Sequence, residues 1–313
     1  MPKIAFMFPG VGSEYAGMGK SFYENFKIVR NTFEEASDIL NLDLDNICFE
    51  PSREKELKEL GNAQVSLLTL SIAVYRAYMK EIGLQPHFCA GYSLGEYSAL
   101  CSAGVIEFPD ALKLVRERGR IIDKVASAID GTMAWVINLD SKLVETVCEA
   151  FSEGDNQVFV SAYDTPTQVS ISGHTAPLMK AARELEKKGI VYPLRLSGPF
   201  HCPLMKKAAE QMKSILKKFT YQPPTCSVIA NQNVQPYKDS ESVLINLSLQ
   251  LTRPIHWRTT VEYFMEHEVD IAIEMGPKNV LKFILEKNTH EIKTYTMDND
   301  KDLDILKKSL LSP

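Results

Sequence analysis

Short apolar runs alternate with helical stripes in the first part of the chain. Residues 4–8 form a continuous apolar run ended by Pro9-Gly10, which predicts a buried strand that enters a glycine-rich loop. Residues 65–79 carry apolar side chains at helical spacing, and the short apolar run 88–90 follows. A further helix is predicted over 109–126. This alternation predicts an α/β fold with a parallel sheet.

A different order of elements is predicted further along the chain. Strand, helix, strand, strand, helix and strand follow one another over 133–139, 142–151, 157–162, 168–172, 176–188 and 190–196. This is the β-α-β-β-α-β order of a ferredoxin-like unit. We therefore predict an inserted small subdomain over 129–197, within a large α/β subdomain formed by residues 1–128 and 198–313. Residues 163–166 are predicted to separate the two middle strands.

The α/β pattern resumes after Pro199. Helices are predicted over 202–219, 241–251 and 257–267, and strands over 227–230 and 271–275.

Composition narrows the classes of function. The chain has 313 residues, a net charge of -5 and six cysteines without a C-x-x-C pair. Because phosphate-backbone affinity needs clustered Lys and Arg, nucleic acid is not an expected partner. The scattered cysteines indicate reduced thiols, and no apolar run is long enough for a membrane span. We expect a cytoplasmic monomer without a signal peptide or membrane partner.

A candidate nucleophile lies in Gly91-Tyr92-Ser93-Leu94-Gly95. A bare G-x-S-x-G occurs by chance in about one chain in ten of this length. Here an apolar strand precedes it and a helix-forming segment follows, which is the context of a nucleophile elbow. Small residues two positions before and after the serine let strand and helix approach. The pattern therefore predicts Ser93 as a nucleophile.

Two more side chains are candidates for the same site. His201 lies in a turn at the end of the inserted unit, where a catalytic base is favoured, although a purely structural histidine would fit the same pattern. Arg118 falls in the apolar stripe of the helix 109–126, whereas Arg116 and Arg120 do not. A buried guanidinium requires an anion. That anion is either a structural partner such as Glu96 or a substrate carboxylate held bidentately.

The glycine-rich loop after the first strand has a separate predicted role. Its sequence lacks the third glycine of a dinucleotide fingerprint, and no metal-ligand spacing occurs in the chain. The backbone amides of Val11 and Leu94 are instead predicted to form an oxyanion hole beside Ser93.

Several motifs together resemble one enzyme family. They are Phe8-Pro9-Gly10-Val11-Gly12-Ser13, Gly91 to Leu100, Arg118-Gly119, Phe200-His201-Cys202-Pro203-Leu204-Met205, Asn231-Gln232-Asn233-Val234, Gln250 to Trp257 and Glu274-Met275-Gly276-Pro277. From Phe6 to about Leu285 the chain resembles the malonyl-CoA:acyl carrier protein transacylases, including the stand-alone acyltransferases that serve polyketide synthases. The resemblance implies an α/β-hydrolase-like large subdomain with a ferredoxin-like insertion.

The resemblance also implies a role for single residues. Ser93 would be acylated, His201 would be its base, and the backbone carbonyl of Gln250 would orient the histidine in place of an acidic third member.

Substrate contacts are implied in the same way. Arg118 would bind the malonyl carboxylate with Gln64 nearby, and Phe200 matches the bulky residue of malonyl-selective members. The family usually has glutamine where Val11 stands and histidine where Tyr92 stands. The first change leaves a backbone amide in place, and Tyr92 is expected at the mouth of the substrate pocket.

The activity implied by the resemblance is a ping-pong transfer. Ser93 would take a malonyl group from malonyl-CoA and pass it to the phosphopantetheine thiol of an acyl carrier protein, with no other cofactor and no metal. A rival activity is that of an acyl hydrolase, which clears stalled acyl groups from carrier proteins. A lipase or esterase would carry an acidic triad member, and a catalytically silent carrier-binding module would need neither Ser93 nor His201. Fatty acid and polyketide synthesis both remain open as pathways.

Overall fold

Two separate sheets organise the chain in the computed structural model, which describes residues 2–194 and 198–311. The strands are β1 (Ile4–Phe8), β2 (Phe88–Gly91), β3 (Gly131–Ile137), β4 (Val158–Thr165), β5 (Gln168–His174), β6 (Ile190–Pro193), β7 (Ser227–Ile229), β8 (Ile271–Glu274) and β9 (Lys293–Thr296). The helices are α1 (Lys20–Asn25), α2 (Lys27–Leu40), α3 (Leu44–Phe49), α4 (Glu54–Leu57), α5 (Leu60–Glu81), α6 (Gly95–Ser102), α7 (Phe108–Ala126), α8 (Ser141–Ala150), α9 (Thr175–Leu185), α10 (Lys206–Leu216), α11 (Ser240–Gln250), α12 (Trp257–Glu266), α13 (Val280–Asn288) and α14 (Asp300–Leu311).

The larger sheet is parallel and has the strand order β7-β2-β1-β8-β9. Its central strand β1 is buried at all five positions, as its continuous apolar run predicts. Helices pack against the sheet, and α5 and α7 form a closely packed pair beside it. In a parallel sheet the carboxyl ends of neighbouring strands meet at one edge. The ends of β1 and β2 therefore bring the loop after Phe8 next to the loop after Gly91, and Tyr92 N donates to Phe8 O at 2.9 Å.

The smaller sheet is antiparallel and takes its strands from residues 131–193. Its order β4-β5-β3-β6 is that of a ferredoxin-like unit, with α8 and α9 packed against it. The predicted α/β class and the β-α-β-β-α-β order are therefore confirmed. The last strand, predicted over 190–196, spans 190–193, and residues 195 and 196 lie outside the described part of the chain.

One predicted turn is wrong. Residues 163–165 belong to β4, and only Pro166 and Thr167 form the turn to β5. The strand continues because its pairing with β5 shifts at two irregular positions, between Val160 and Ala162 and between Tyr163 and Thr165. Such irregularities re-aim side chains, which an alternating pattern cannot anticipate.

Other element boundaries differ from prediction in smaller ways. The helix predicted from residue 202 begins as a single 3₁₀ turn at Pro203–Met205 and continues as α10. The sequence pattern does not predict α13, β9 or α14 near the end of the chain. Across the described residues, no helix combines the length and the apolar character needed to cross a bilayer.

Candidate active site

Ser93 occupies a strained turn between β2 and α6. Its φ is 52°, in the left-handed region that non-glycine residues rarely adopt. The turn is tight: a Cβ added at Gly91 would lie 1.9 Å from the carbonyl carbon of Gly95, and one added at Gly95 would lie 2.0 Å from Phe8 O. Asn231 braces the turn, because its Oδ1 accepts from Ser93 N at 2.8 Å and its Nδ2 donates to Gly91 O at 2.5 Å. These contacts hold Ser93 Oγ in a defined position.

His201 lies beside Ser93, as the two predicted catalytic residues require. The distance from His201 Nε2 to Ser93 Oγ is 2.9 Å, and Nδ1 lies 2.9 Å from the backbone oxygen of Gln250. Since a carbonyl can only accept, Nδ1 carries the proton and Nε2 is free to accept from the serine hydroxyl. His201 also has a positive φ of 57°, so both members of the pair are held in strained backbone.

The electrostatic environment keeps His201 neutral. Burial and the nearby positive charge of Arg118 lower the pKa of His201 to about 4. A neutral imidazole can accept a proton at pH 7, whereas an imidazolium cannot. The pair thus has the protonation state that activation of a serine needs.

Arg118 is buried at the same site. Its Nη1 donates to Gln64 Oε1 at 2.5 Å, and its Nη2 donates to Gln250 Oε1 at 3.0 Å and to Ser93 Oγ at 3.2 Å. All three acceptors are neutral, and Arg118 forms no ion pair with any residue in 2–194 or 198–311. Within the same ranges Arg118 Nε and Gln64 Nε2 have no hydrogen-bond acceptor. Within the described part of the chain, the guanidinium next to the serine therefore has no anion in direct contact with it.

Glu96, the structural partner that the sequence offers for Arg118, makes different contacts. Its Oε1 accepts from Asn231 N at 2.9 Å and from Tyr237 Oη at 2.7 Å, and its Oε2 accepts from Gln250 Nε2 at 2.5 Å. Burial raises the pKa of Glu96 to about 7, although these donors and the charge of Arg118 act in the opposite direction. The side chain of Gln250 thus separates the carboxyl from the guanidinium.

Of the two residues whose amides are predicted to form an oxyanion hole, Val11 lines the cavity beside Ser93 and Leu94 is buried behind it. Val11 and Ser93 both line one cavity, and Leu94 follows Ser93 directly. Neither the Val11 nor the Leu94 amide donates to an acceptor in residues 2–194 or 198–311. Both N–H groups are therefore unengaged within these ranges, and the oxyanion hole stays a prediction.

The cavity has a volume of about 1010 Å³ and lies between the two sheets. Ser93, His201, Arg118, Gln64 and Phe200 all line it, so the predicted site residues are brought together. The antiparallel sheet contributes further lining residues, namely Met133, Trp135, Ser161, Ala162, Asp164 and Ser170.

Tyr92 also lines the cavity, but its hydroxyl is engaged with protein. Tyr92 Oη donates to Asp164 Oδ1 at 2.8 Å, and the ring packs against Trp257 with centroids 5.7 Å apart. Asp164 is buried, which raises its pKa to about 6. The tyrosine thus links the nucleophile turn to β4 across the cavity.

Sequence reasoning misses the roles of three polar residues around the site. Asn231 belongs to a motif that gives it no role, Asp164 falls in the predicted turn, and Glu96 enters only as a partner for Arg118. A buried acid in the first turn after the nucleophile is the one local signal that could indicate Glu96.

The site combines an α/β sheet, a serine on a strained strand-to-helix turn and a neutral histidine at 2.9 Å. Enzymes that pass an acyl group through a serine have this arrangement. Sequence comparison agrees with that class. The acyl transferase domain family matches residues 5–305 of the chain.

Individual relatives narrow the class further. A malonyl CoA-acyl carrier protein transacylase of Bacillus subtilis is 38% identical over 310 residues, covering 99% of this chain and 77% of the relative. The enzyme of the same name from Escherichia coli K12 is 38% identical over 283 residues, covering 90% of this chain and 91% of that one. A malonyl-transacylase solved in complex with a type II polyketide synthase acyl-carrier protein superposes with a TM-score of 0.95 at 31% identity, covering 99% of this chain and 100% of the other. The chain belongs to the malonyl CoA-acyl carrier protein transacylase family.

Proposed function

We propose that this protein transfers a malonyl group from malonyl-CoA to the phosphopantetheine thiol of an acyl carrier protein, through an acyl-Ser93 intermediate. The observation that carries the proposal is the contact of Ser93 Oγ with both His201 Nε2, at 2.9 Å, and Arg118 Nη2, at 3.2 Å. One contact supplies a base and the other supplies an unpaired positive charge for an acyl group that bears a carboxylate.

Acylation begins with the serine hydroxyl. His201 Nε2 takes the proton as Ser93 Oγ forms a bond to the thioester carbon of malonyl-CoA. The amides of Val11 and Leu94 stabilise the oxyanion of the tetrahedral intermediate. As the intermediate collapses, the carbon–sulfur bond breaks and the CoA sulfur leaves with the proton held by His201.

The second half reverses these roles. The carrier thiol gives its proton to His201 and attacks the ester carbon, and Ser93 Oγ leaves and regains a proton from His201. The backbone oxygen of Gln250 holds Nδ1–H throughout, in the place of an acidic triad member.

Selection of the acyl group rests on Arg118. A malonyl carboxylate in the cavity compensates the buried guanidinium, whereas an acetyl group leaves the charge unpaired. Gln64 holds the guanidinium through its Oε1, and its own Nε2 is a second donor for the carboxylate. The bulk of Phe200 at the cavity wall limits branching of the acyl group.

Intact-protein mass spectrometry after mixing with malonyl-CoA tests the proposal. We expect a malonyl adduct on the wild type, none on Ser93→Ala, and loss of the adduct when a phosphopantetheinylated carrier protein is added. Ser98→Ala, a buried serine on α6 outside the cavity, is the matched control and should keep the adduct. A wild type that stays unlabelled would overturn the proposal, and free malonate in place of malonyl-carrier would support the hydrolase instead.

A further inference from the structure

A buried carboxyl next to the nucleophile takes no part in the acyl transfer described above. Glu96 follows Ser93 by three residues and is sealed from solvent. Its hydrogen-bond partners in the described part of the chain are all donors: Asn231 N, Tyr237 Oη and Gln250 Nε2. Since a carboxylate can only accept, the surroundings fit the ionised form of Glu96.

Glu96 and the backbone oxygen of Ser93 together hold the orientation of the Gln250 amide. The amide nitrogen donates to Glu96 Oε2 at 2.5 Å and to Ser93 O at 2.8 Å, so both of its hydrogens face acceptors. The amide oxygen is thereby turned to the opposite side, where it accepts from Arg118 Nη2 at 3.0 Å. An amide in the reverse orientation would place its N–H groups against the guanidinium donors.

We propose that Glu96 is a positioning residue for acyl selection: through the amide of Gln250 it fixes the guanidinium of Arg118 beside Ser93. The inference rests on the proposed role of Arg118 as the carboxylate-binding group. It assigns no direct substrate contact to Glu96, which is absent from the cavity wall.

Glutamine at position 96 would reverse this arrangement. Its oxygen would stay with Asn231 N and Tyr237 Oη, and its own amide nitrogen would then face the amide nitrogen of Gln250. The Gln250 amide would turn over to relieve the donor–donor contact. Arg118 would lose an acceptor and gain a repelling donor, while His201 would keep its contact to the backbone oxygen of Gln250.

The test compares kcat/KM for acylation by malonyl-CoA and by acetyl-CoA, above pH 7, where the Glu96 carboxyl ionises. We expect Glu96→Gln to lower the malonyl-to-acetyl ratio roughly tenfold, mainly through the malonyl KM. In an Arg118→Ala background the same change should leave the ratio where Arg118→Ala alone puts it, because the two residues act in series. Tyr237→Phe removes a donor to Glu96 without touching Gln250 and should keep the wild-type ratio.

Two results would overturn the inference while leaving the proposed function intact. One is an unchanged ratio in Glu96→Gln. The other is an equal loss for malonyl and acetyl substrates, which would mean that Glu96 only stabilises the fold. Should Glu96→Gln fail to fold in a thermal melt, Gln250→Ala provides the same comparison, since it removes the amide and should lower the ratio as well. A wild type without Ser93 acylation would instead refute the proposed function.

Discussion

Arg118 Nη2 and His201 Nε2 contact the same oxygen, Ser93 Oγ, at 3.2 and 2.9 Å. The serine therefore sits between a neutral imidazole nitrogen that can accept its proton and a group that carries a fixed positive charge. Together with burial, the larger cause, that charge lowers the pKa of His201, so the group to which we assign acyl selection also sets the strength of the candidate base.

Removing the guanidinium should change which acyl group is accepted. We expect Arg118→Ala to lower the malonyl-to-acetyl ratio of kcat/KM roughly thirtyfold, because a charge-assisted hydrogen bond to the carboxylate is lost. This factor corresponds to about 2 kcal/mol of transition-state stabilisation. Steady-state kinetics with both CoA thioesters measure the ratio. Arg258→Ala removes a half-buried arginine paired with Glu262, outside the cavity, and is the control. An unchanged ratio in Arg118→Ala would refute carboxylate binding.

The pH dependence of Ser93 reactivity should reflect the lowered pKa of His201. Below that pKa the ring is protonated and cannot accept the serine proton. The acid limb of the pH profile, where reactivity falls, should therefore lie at about pH 4 and not at 6.5, the ordinary pKa of histidine. Labelling by a serine-directed phosphonate across pH measures this limb without involving a carboxylate substrate. In Arg118→Ala the limb should move to higher pH, because one cause of the shift is gone. A wild-type limb near pH 6.5 would contradict the electrostatic account.

The contact between Tyr92 and Asp164 should contribute to stability. Tyr92→Phe removes the donor that reaches Asp164 Oδ1 at 2.8 Å and leaves a buried carboxyl short of a partner. We expect the free energy of unfolding to fall by about 1–3 kcal/mol in chemical denaturation. Tyr192→Phe, in a side chain that is 54% exposed, should change it by less than about 0.5 kcal/mol. Equal effects of the two variants would show that the contact is energetically neutral.

The nucleophile turn should tolerate no side chain at its first glycine. A Cβ at Gly91 would lie 1.9 Å from the carbonyl carbon of Gly95, so we expect Gly91→Ala to destabilise the protein by more than about 3 kcal/mol or to prevent folding. At Gly61, in α5, an added Cβ meets no atom within 4 Å. Gly61→Ala should keep the free energy of unfolding or raise it by up to about 1 kcal/mol. Thermal and chemical denaturation compare the two, and a stable Gly91→Ala would refute the steric argument.

Sequence patterns predict best what is encoded locally. The turn around Ser93 follows from two glycines at fixed spacing, and the burial of Arg118 follows from its place in a helical stripe. Both depend on neighbours within a few residues, which periodicity and turn chemistry describe.

The rest of the site depends on residues far apart in the chain. Gln250 Nε2 meets Glu96 across 154 positions, and Asn231 meets Gly91 across 140. No local pattern specifies such pairs, since the folded sheet alone brings them together. The prediction for Asp164 fails for a related reason, because irregular pairing extends β4 through a segment with turn-forming composition.

One wall of the cavity comes from a different part of the chain than the candidate reacting groups. Ser93, Arg118, His201 and Gln250 all lie outside the antiparallel sheet, whereas Trp135 and Asp164 on that sheet face them across the cavity. The wall formed by the antiparallel sheet can therefore change in evolution separately from the groups around Ser93. Substitutions on β3 or β4 can reshape this wall of the cavity while Ser93, His201 and Arg118 stay where they are.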